Sequence, residues 1–116
     1  MFVLEDRIVG DNSATVREFI EQHLETPLPL SQLAALCALS EYHFARMFQA
    51  SFGLPPHRYV LARRLARACH LLRQSALPLG EVALACGFAS ASHFSNRFRQ
   101  AFSATPGQYR AALQRS

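Results

Sequence analysis

Residues 30–59 and 79–109 carry nearly the same pattern, and a duplication of this length leaves few folds open. From Ser40 onward the copies align without a gap at an offset of about fifty residues. Ser40 matches Ser90, His43 matches His93, and Phe44, Phe48 and Phe52 match Phe94, Phe98 and Phe102. Pro56 and Tyr59 match Pro106 and Tyr109. Upstream, Leu33-Ala34 matches Val82-Ala83 and Cys37 matches Cys86, with one extra residue absorbed near Ala89. A repeat of this period can build a solenoid, but solenoids usually need three or more units. Two units imply a symmetric, two-lobed domain. A chain of 116 residues, half of them apolar, has enough material for one domain with a small core.

Each copy reads as a short helix, a tight turn and a second helix, the helix-turn-helix pattern. The first unit covers about 31–52 and the second about 79–102. In copy one, Ser31 is placed to cap a first helix over 31–37. Ala38 and Gly87 fall where the turn needs a small residue, and glycine tolerates a positive φ there. Leu39 and Phe88 follow as plugs between the helices, and Ser40 and Ser90 cap the second helices. Ala34 and Ala83, midway along the first helices, let the helices approach closely.

Between the units, residues 55–75 read PPHRYVLARRLARACHLLRQS. The proline pair can start a helix, because the first helical N–H has no intrahelical partner to lose. Val60, Leu61, Leu65, Ala68, Cys69, Leu71 and Leu72 recur at mostly three- and four-residue steps, as in an amphipathic helix with one wet side. Residues 55–75 are therefore a helical spacer between two copies of one unit.

The second helix of each unit has two separable faces. Phenylalanines four residues apart form the core stripe. The other face of copy one carries Tyr42, Ala45, Arg46 and Gln49, at i, i+3, i+4 and i+7. The same positions of copy two carry Ser92, Ser95, Asn96 and Arg99, and none of the eight is acidic. Arginine matches two groups on the major-groove edge of guanine, and Asn or Gln does the same for adenine. A solvated helix face explains any one of these residues equally well. Its recurrence in both units favours base reading.

Gly87-Phe88, Ser92-His93-Phe94, Phe98-Arg99, Thr105-Pro106 and Tyr109-Arg110 appear in that order. With Arg64-Leu65, Ala68 and Leu71-Leu72 before them, residues 29–109 resemble the DNA-binding domain of AraC/XylS-type bacterial transcription regulators. The resemblance implies an all-α fold of seven helices, with two helix-turn-helix subdomains joined by a long linker helix. It implies that the recognition helices, Ser40 to about Ser51 and Ser90 or Ala91 to about Ala101, enter adjacent major grooves of double-stranded DNA. The family's base-facing positions coincide with the outer faces read above. Ala45 departs from them in offering only an apolar contact, such as a thymine methyl. A spacer of about twenty residues spans ~30 Å, slightly less than the ~34 Å of one DNA turn, so the duplex is expected to bend toward the protein. RNA polymerase is the protein partner the resemblance implies. The chain reads either as a whole small regulator or as the C-terminal part of a longer one, whose N-terminal domain would sense an effector or dimerise.

Charge separates the chain into two regions. Residues 1–29 hold two arginines against six acids, whereas residues 30–116 hold ten arginines against Glu41 and Glu81. The duplicated part is therefore the part suited to a polyanion. Arg63, Arg64, Arg67, Arg97 and Arg110, with the Ser40 and Ser90 caps, are candidates for phosphate contacts. Salt bridges to Glu41 or Glu81 compete for some of them, Arg64 above all.

Residues 1–13 read as an ordered arm or the stub of an inter-domain linker, and residues 14–116 as the DNA-binding domain. The first ten residues are too short and too acidic for a secretory signal or a membrane span. Asp11-Asn12-Ser13 is placed to cap a helix over 14–25, with Val16, Phe19, Ile20 and Leu24 inward. The three cysteines, at Cys37, Cys69 and Cys86, have no paired spacing, which argues for a reducing cytoplasm and for buried thiols over redox sensing. The five histidines do not cluster as ligands, and neither metal nor cofactor is expected. A Gly-rich phosphate loop, paired carboxylates and a nucleophile constellation are all missing from the sequence, which weighs against an enzyme. A helical protein-interaction module that kept the fold without specific DNA binding is the alternative.

Overall fold

The computed structural model describes residues 3, 4, 7, 8 and 11–115. Among these residues seven helices follow one another: α1 (Asp11–Gln22), α2 (Leu30–Leu36), α3 (Glu41–Phe52), α4 (Pro56–Gln74), α5 (Leu79–Ala85), α6 (Ala91–Phe102) and α7 (Pro106–Gln114). This is the all-α arrangement expected. It carries one addition, a two-residue antiparallel ladder of β1 (Val3–Leu4) and β2 (Arg7–Ile8), pairing Val3 with Ile8 and Leu4 with Arg7. β2 lies against α3. The chain divides into two compact units, residues 1–63 and 64–116, and the boundary falls inside α4.

α1 begins at Asp11 and ends at Gln22, earlier at both ends than the sequence suggests. Asp11, Asn12 and Ser13 form its first turn and do not precede it. Past Gln22 the chain tightens into turns, with Thr26 Oγ1 donating to the His23 carbonyl.

α2 also starts differently from expectation. Pro29, in extended conformation, holds the N-cap position, and no side chain caps the helix. Ser31 is an exposed residue of its first turn. The same holds in the second unit, where Pro78 is the N-cap of α5. Proline loses nothing at a helix start, where the N–H would be unpaired. The Pro29-Leu30 and Pro78-Leu79 pairs thus extend the duplication one residue further upstream than the reading above.

The turns after α2 and α5 are built as expected. Ala38 has φ 56° and Gly87 has φ 85°. Leu39 N donates to Ala34 O at 3.1 Å and Ala38 N to Ala35 O at 3.2 Å. Phe88 N donates to Ala83 O at 3.0 Å and Gly87 N to Leu84 O at 3.1 Å. Both are complete Schellman motifs, which satisfy the last carbonyls and turn the chain sharply into the next helix.

In unit one the core gathers Val16 and Ile20 of α1, Leu24 of the turn that follows it, Leu33 and Ala34 of α2, Phe44, Met47 and Phe48 of α3, and Val60 of α4. In unit two Leu65, Ala68 and Leu72 of α4, Val82, Ala83, Cys86, Phe88, Phe94 and Phe98 are buried. The aromatic stripes stack in register in both units. Phe44–Phe48, Phe48–Phe52 and Phe48–Tyr59 have centroid separations of 5.6, 4.1 and 5.4 Å. Their counterparts Phe94–Phe98, Phe98–Phe102 and Phe98–Tyr109 lie at 5.8, 4.6 and 5.5 Å. One member of the expected core is not inside: Phe102 is 45% exposed. Its counterpart Phe52 is shielded, with Tyr59 stacked on it and the Arg17 guanidinium of α1 over its ring at 5.4 Å.

Candidate nucleic-acid interface

Two local devices fix where α3 and α6 begin. Ser40 Oγ accepts from His43 N at 3.2 Å, and Ser90 Oγ accepts from His93 N at 3.0 Å. Each is an N-cap that satisfies one unpaired donor of the first turn. The Schellman turn sits immediately upstream, so the start of each helix is set by hydrogen bonds on both sides. The helices end in left-handed residues, Gly53 (φ 80°) and Ser103 (φ 61°), whose N–H groups bond Gln49 O and Arg99 O.

With the Phe stripe held inside, the opposite face is fixed by geometry. In α3, Tyr42 is 75% exposed, Arg46 and Gln49 are exposed and Ala45 is half-buried. The Arg46 guanidinium carbon lies 6.0 Å from the centroid of the Tyr42 ring, a long cation–π contact. In α6, Ser92, Asn96 and Arg99 are exposed and Ser95 is half-buried. Each unit therefore gathers its four predicted base-reading positions on one outward helix face.

The arginines assigned to phosphate do not behave alike. Arg63 grips Glu21 of α1 through two bonds, Nε to Oε2 at 2.7 Å and Nη2 to Oε1 at 3.2 Å. That hydrogen bond raises its pKa above the ordinary value, with partial desolvation opposing. Arg67 Nη1 donates to Ala85 O at 3.4 Å, at the last residue of α5. Arg110 turns its whole guanidinium onto main-chain carbonyls: Nε to Leu72 O at 3.4 Å, Nη1 to Leu77 O at 2.5 Å and Nη2 to Ser75 O at 3.3 Å. All three thus bond within the protein in this structure. Arg64 is half-buried, and desolvation lowers its pKa while the nearby Cys86 raises it. Arg97 is exposed, with Nε donating to His93 Nε2 at 3.5 Å.

Three ties were missed from sequence. Glu21, one of the six acids of residues 1–29, is the partner of Arg63. Arg73 Nη1 donates to the Tyr109 hydroxyl at 3.1 Å. Arg17 covers Phe52. Their only sequence signal is an arginine or an acid at a helical position beside an apolar stripe, and it names no partner. Among the described residues no group of three or more His, Cys, Asp or Glu could hold a metal ion. No helix among them is long and apolar enough to cross a membrane.

Comparison with known proteins agrees with this geometry. Residues 33–112 match the family described as "Helix-turn-helix domain". "Probable transcriptional regulator LumQ" of Photobacterium leiognathi is 34% identical over 105 residues, covering 90% of this chain and 42% of that protein. "HTH-type transcriptional regulator GbdR" of Pseudomonas aeruginosa is 37% identical over 102 residues, covering 85% of this chain and 28% of GbdR. The chain thus spans less than half the length of these relatives. Among solved structures, the DNA-binding domain of AdpA, determined in complex with a target DNA, superimposes with a TM-score of 0.87 at 31% identity. It covers 91% of this chain and 96% of that one. A transcriptional regulator with an AraC-type DNA-binding domain from Chromobacterium violaceum gives 0.80 at 33% identity, covering 89% and 92%. With both helix-turn-helix motifs, the helix between them and these relatives in agreement, the chain belongs to the AraC/XylS-type family of helix-turn-helix DNA-binding domains.

Proposed function

We propose that the chain is the sequence-reading part of a bacterial transcription regulator, binding double-stranded DNA through α3 and α6. One observation carries this reading: both helices bury a Phe stripe and present an exposed, acid-free face of base-reading residue types. In α3, Arg46 and Gln49 read base edges, Tyr42 flanks them and Ala45 offers a methyl contact. In α6, Asn96 and Arg99 carry most of the preference, with Ser92 and Ser95 beside them. Arg64 and Arg97 are the first side-chain candidates for phosphate, and Arg63 and Arg67 would join them by exchanging their bonds to Glu21 and Ala85. The Ser40 and Ser90 hydroxyls, which accept from their own helices, still have a proton to donate to a phosphate oxygen. Reading two groove segments with one chain requires an asymmetric site of roughly two turns, without palindromy. RNA polymerase is the protein partner and the bacterial cytoplasm the compartment this function entails.

Selection of binding sites from a random duplex pool, followed by mobility shift against scrambled competitor, tests the proposal. The expected result is a recovered consensus and resistance of the shifted band to scrambled DNA. Equal competition by selected and scrambled duplex would leave the fold without the function and favour a protein-interaction module.

A further inference from the structure

Arg110 directs its guanidinium at three main-chain carbonyl oxygens. Its three nitrogens reach Leu72 in the last turn of α4, and Ser75 and Leu77 in the connector to α5. The last four carbonyls of a helix have no intrahelical donor. One of these carbonyls, Leu71 O, is met by Ser75, whose N and Oγ both donate to it, at 3.0 and 2.7 Å. The Ser75 hydroxyl oxygen also accepts from Leu77 N at 3.3 Å. The connector is thus folded around one guanidinium that comes from α7. A cation at a helix C-terminus is favoured by the helix dipole, and charge-assisted bonds are stronger than neutral ones.

This arrangement bears on recognition because of what the connector leads into. Pro78, its last residue, is the N-cap of α5 and has no side-chain cap to set the direction of entry. α5 runs through the Gly87 turn into α6, which carries Asn96 and Arg99. Arg110 therefore joins α7, the end of α4 and the connector that leads into α5 within unit two, and α6 is packed against both α5 and α7.

We propose that Arg110 is a positioning residue for the second recognition helix. It acts through the Leu72, Ser75 and Leu77 carbonyls and does not touch DNA. The inference rests on the DNA-binding function proposed above and adds to it a residue that sets how α6 is presented. Lysine cannot replace it, since an ammonium on a flexible stem offers no planar fork for three separated carbonyls.

The test uses the full chain and its selected duplex, with wild type, Arg110→Lys and Arg110→Gln titrated over a salt series. Both variants should bind at least tenfold more weakly, with a slope of log affinity against log salt equal to that of wild type. Both should lose discrimination between bases in the half-site read by α6 and keep it in the half-site read by α3. A phosphate contact gives the opposite pattern: Lys retains most of the affinity, and Gln lowers the slope by about one. That pattern, or unchanged discrimination in the α6 half-site, overturns the proposal. Should either variant fail to fold, the wild-type Arg110 Nε–H decides. Its solvent exchange must be slow both free and on DNA, and fast exchange in the free protein overturns the proposal. Failure of wild type itself to discriminate selected from scrambled duplex would instead sink the functional reading.

Discussion

Arg46 and Arg63 are both exposed arginines on helices, yet their surroundings give them different work. Arg63 meets the Glu21 carboxylate, and Arg46 stands beside Tyr42 on an exposed face of α3. Replacing Arg46 or Arg99 by alanine should weaken binding by ~1–3 kcal/mol and relax one base position, because a bidentate pair to a guanine edge is lost. Competition with duplexes varied at single positions measures this, and an unchanged base preference for Arg46→Ala would remove it from the reading set. That these residues share an outward helix face was legible because helical periodicity assigns sides from local sequence alone. The fate of Arg63 was not, since its partner Glu21 is 42 positions away and only the packing of α1 on α4 brings them together. Cys86 shows burial of a different kind. Desolvation pushes its thiol up to about 11, while Arg67 and Arg64 pull it down and Cys69 adds to the rise. The folded thiol keeps its proton where the unfolded one, near ~8.5, has lost it. Stability from this group is therefore complete below that lower value and falls as pH climbs toward 11. Urea midpoints at pH 8 and pH 10.5 should differ more for wild type than for Cys86→Ala. Equal differences would show that Cys86 is not the group responsible.

At the scale of the element, the two helix-turn-helix units are the same device with different tolerances. Gly87 takes the left-handed position of its turn without penalty, whereas Ala38 holds φ 56° with a Cβ in place. An L-residue pays ~1–2 kcal/mol for that conformation, partly offset by the greater chain entropy of glycine when unfolded. Ala38→Gly should thus raise stability by up to ~1 kcal/mol without altering base preference; a lower denaturation midpoint would contradict the strain argument. The serine caps predict the reverse sign. Ser40→Ala and Ser90→Ala each free a first-turn N–H and should lower stability by ~0.5–2 kcal/mol. The turn and the second-helix caps were readable from residue type, but the start of α2 was not. Ser31 has the better side chain for a cap, yet Pro29 already directs the chain into the helix and Ser31 falls inside it. The two-residue strands near the N-terminus were also invisible, since four residues carry too little alternation to register as a ladder.

For the whole molecule the question is how the proposed function divides affinity between α3 and α6. Both are carried on a single polypeptide, so once one head is seated the second binds as an intramolecular event. Scrambling the half-site read by α6 removes the contacts of Asn96 and Arg99. At ~1–3 kcal/mol per lost base contact, this should cost ~2–6 kcal/mol, tens-fold to more than a thousandfold in affinity. A protein–DNA cycle separates that loss from general damage. Wild type should distinguish intact from scrambled α6 half-site strongly. The double variant Asn96→Ala, Arg99→Ala should bind both duplexes alike, at about the affinity of wild type for the scrambled one. The same variant should still discriminate in the α3 half-site as wild type does, because Arg46 and Gln49 are untouched. If instead it loses discrimination in both halves, the heads are not independent readers and a single composite surface must be doing the recognition. If wild type itself binds the scrambled duplex as tightly as the intact one, α6 contributes packing and charge but no sequence, and specificity rests on α3 alone.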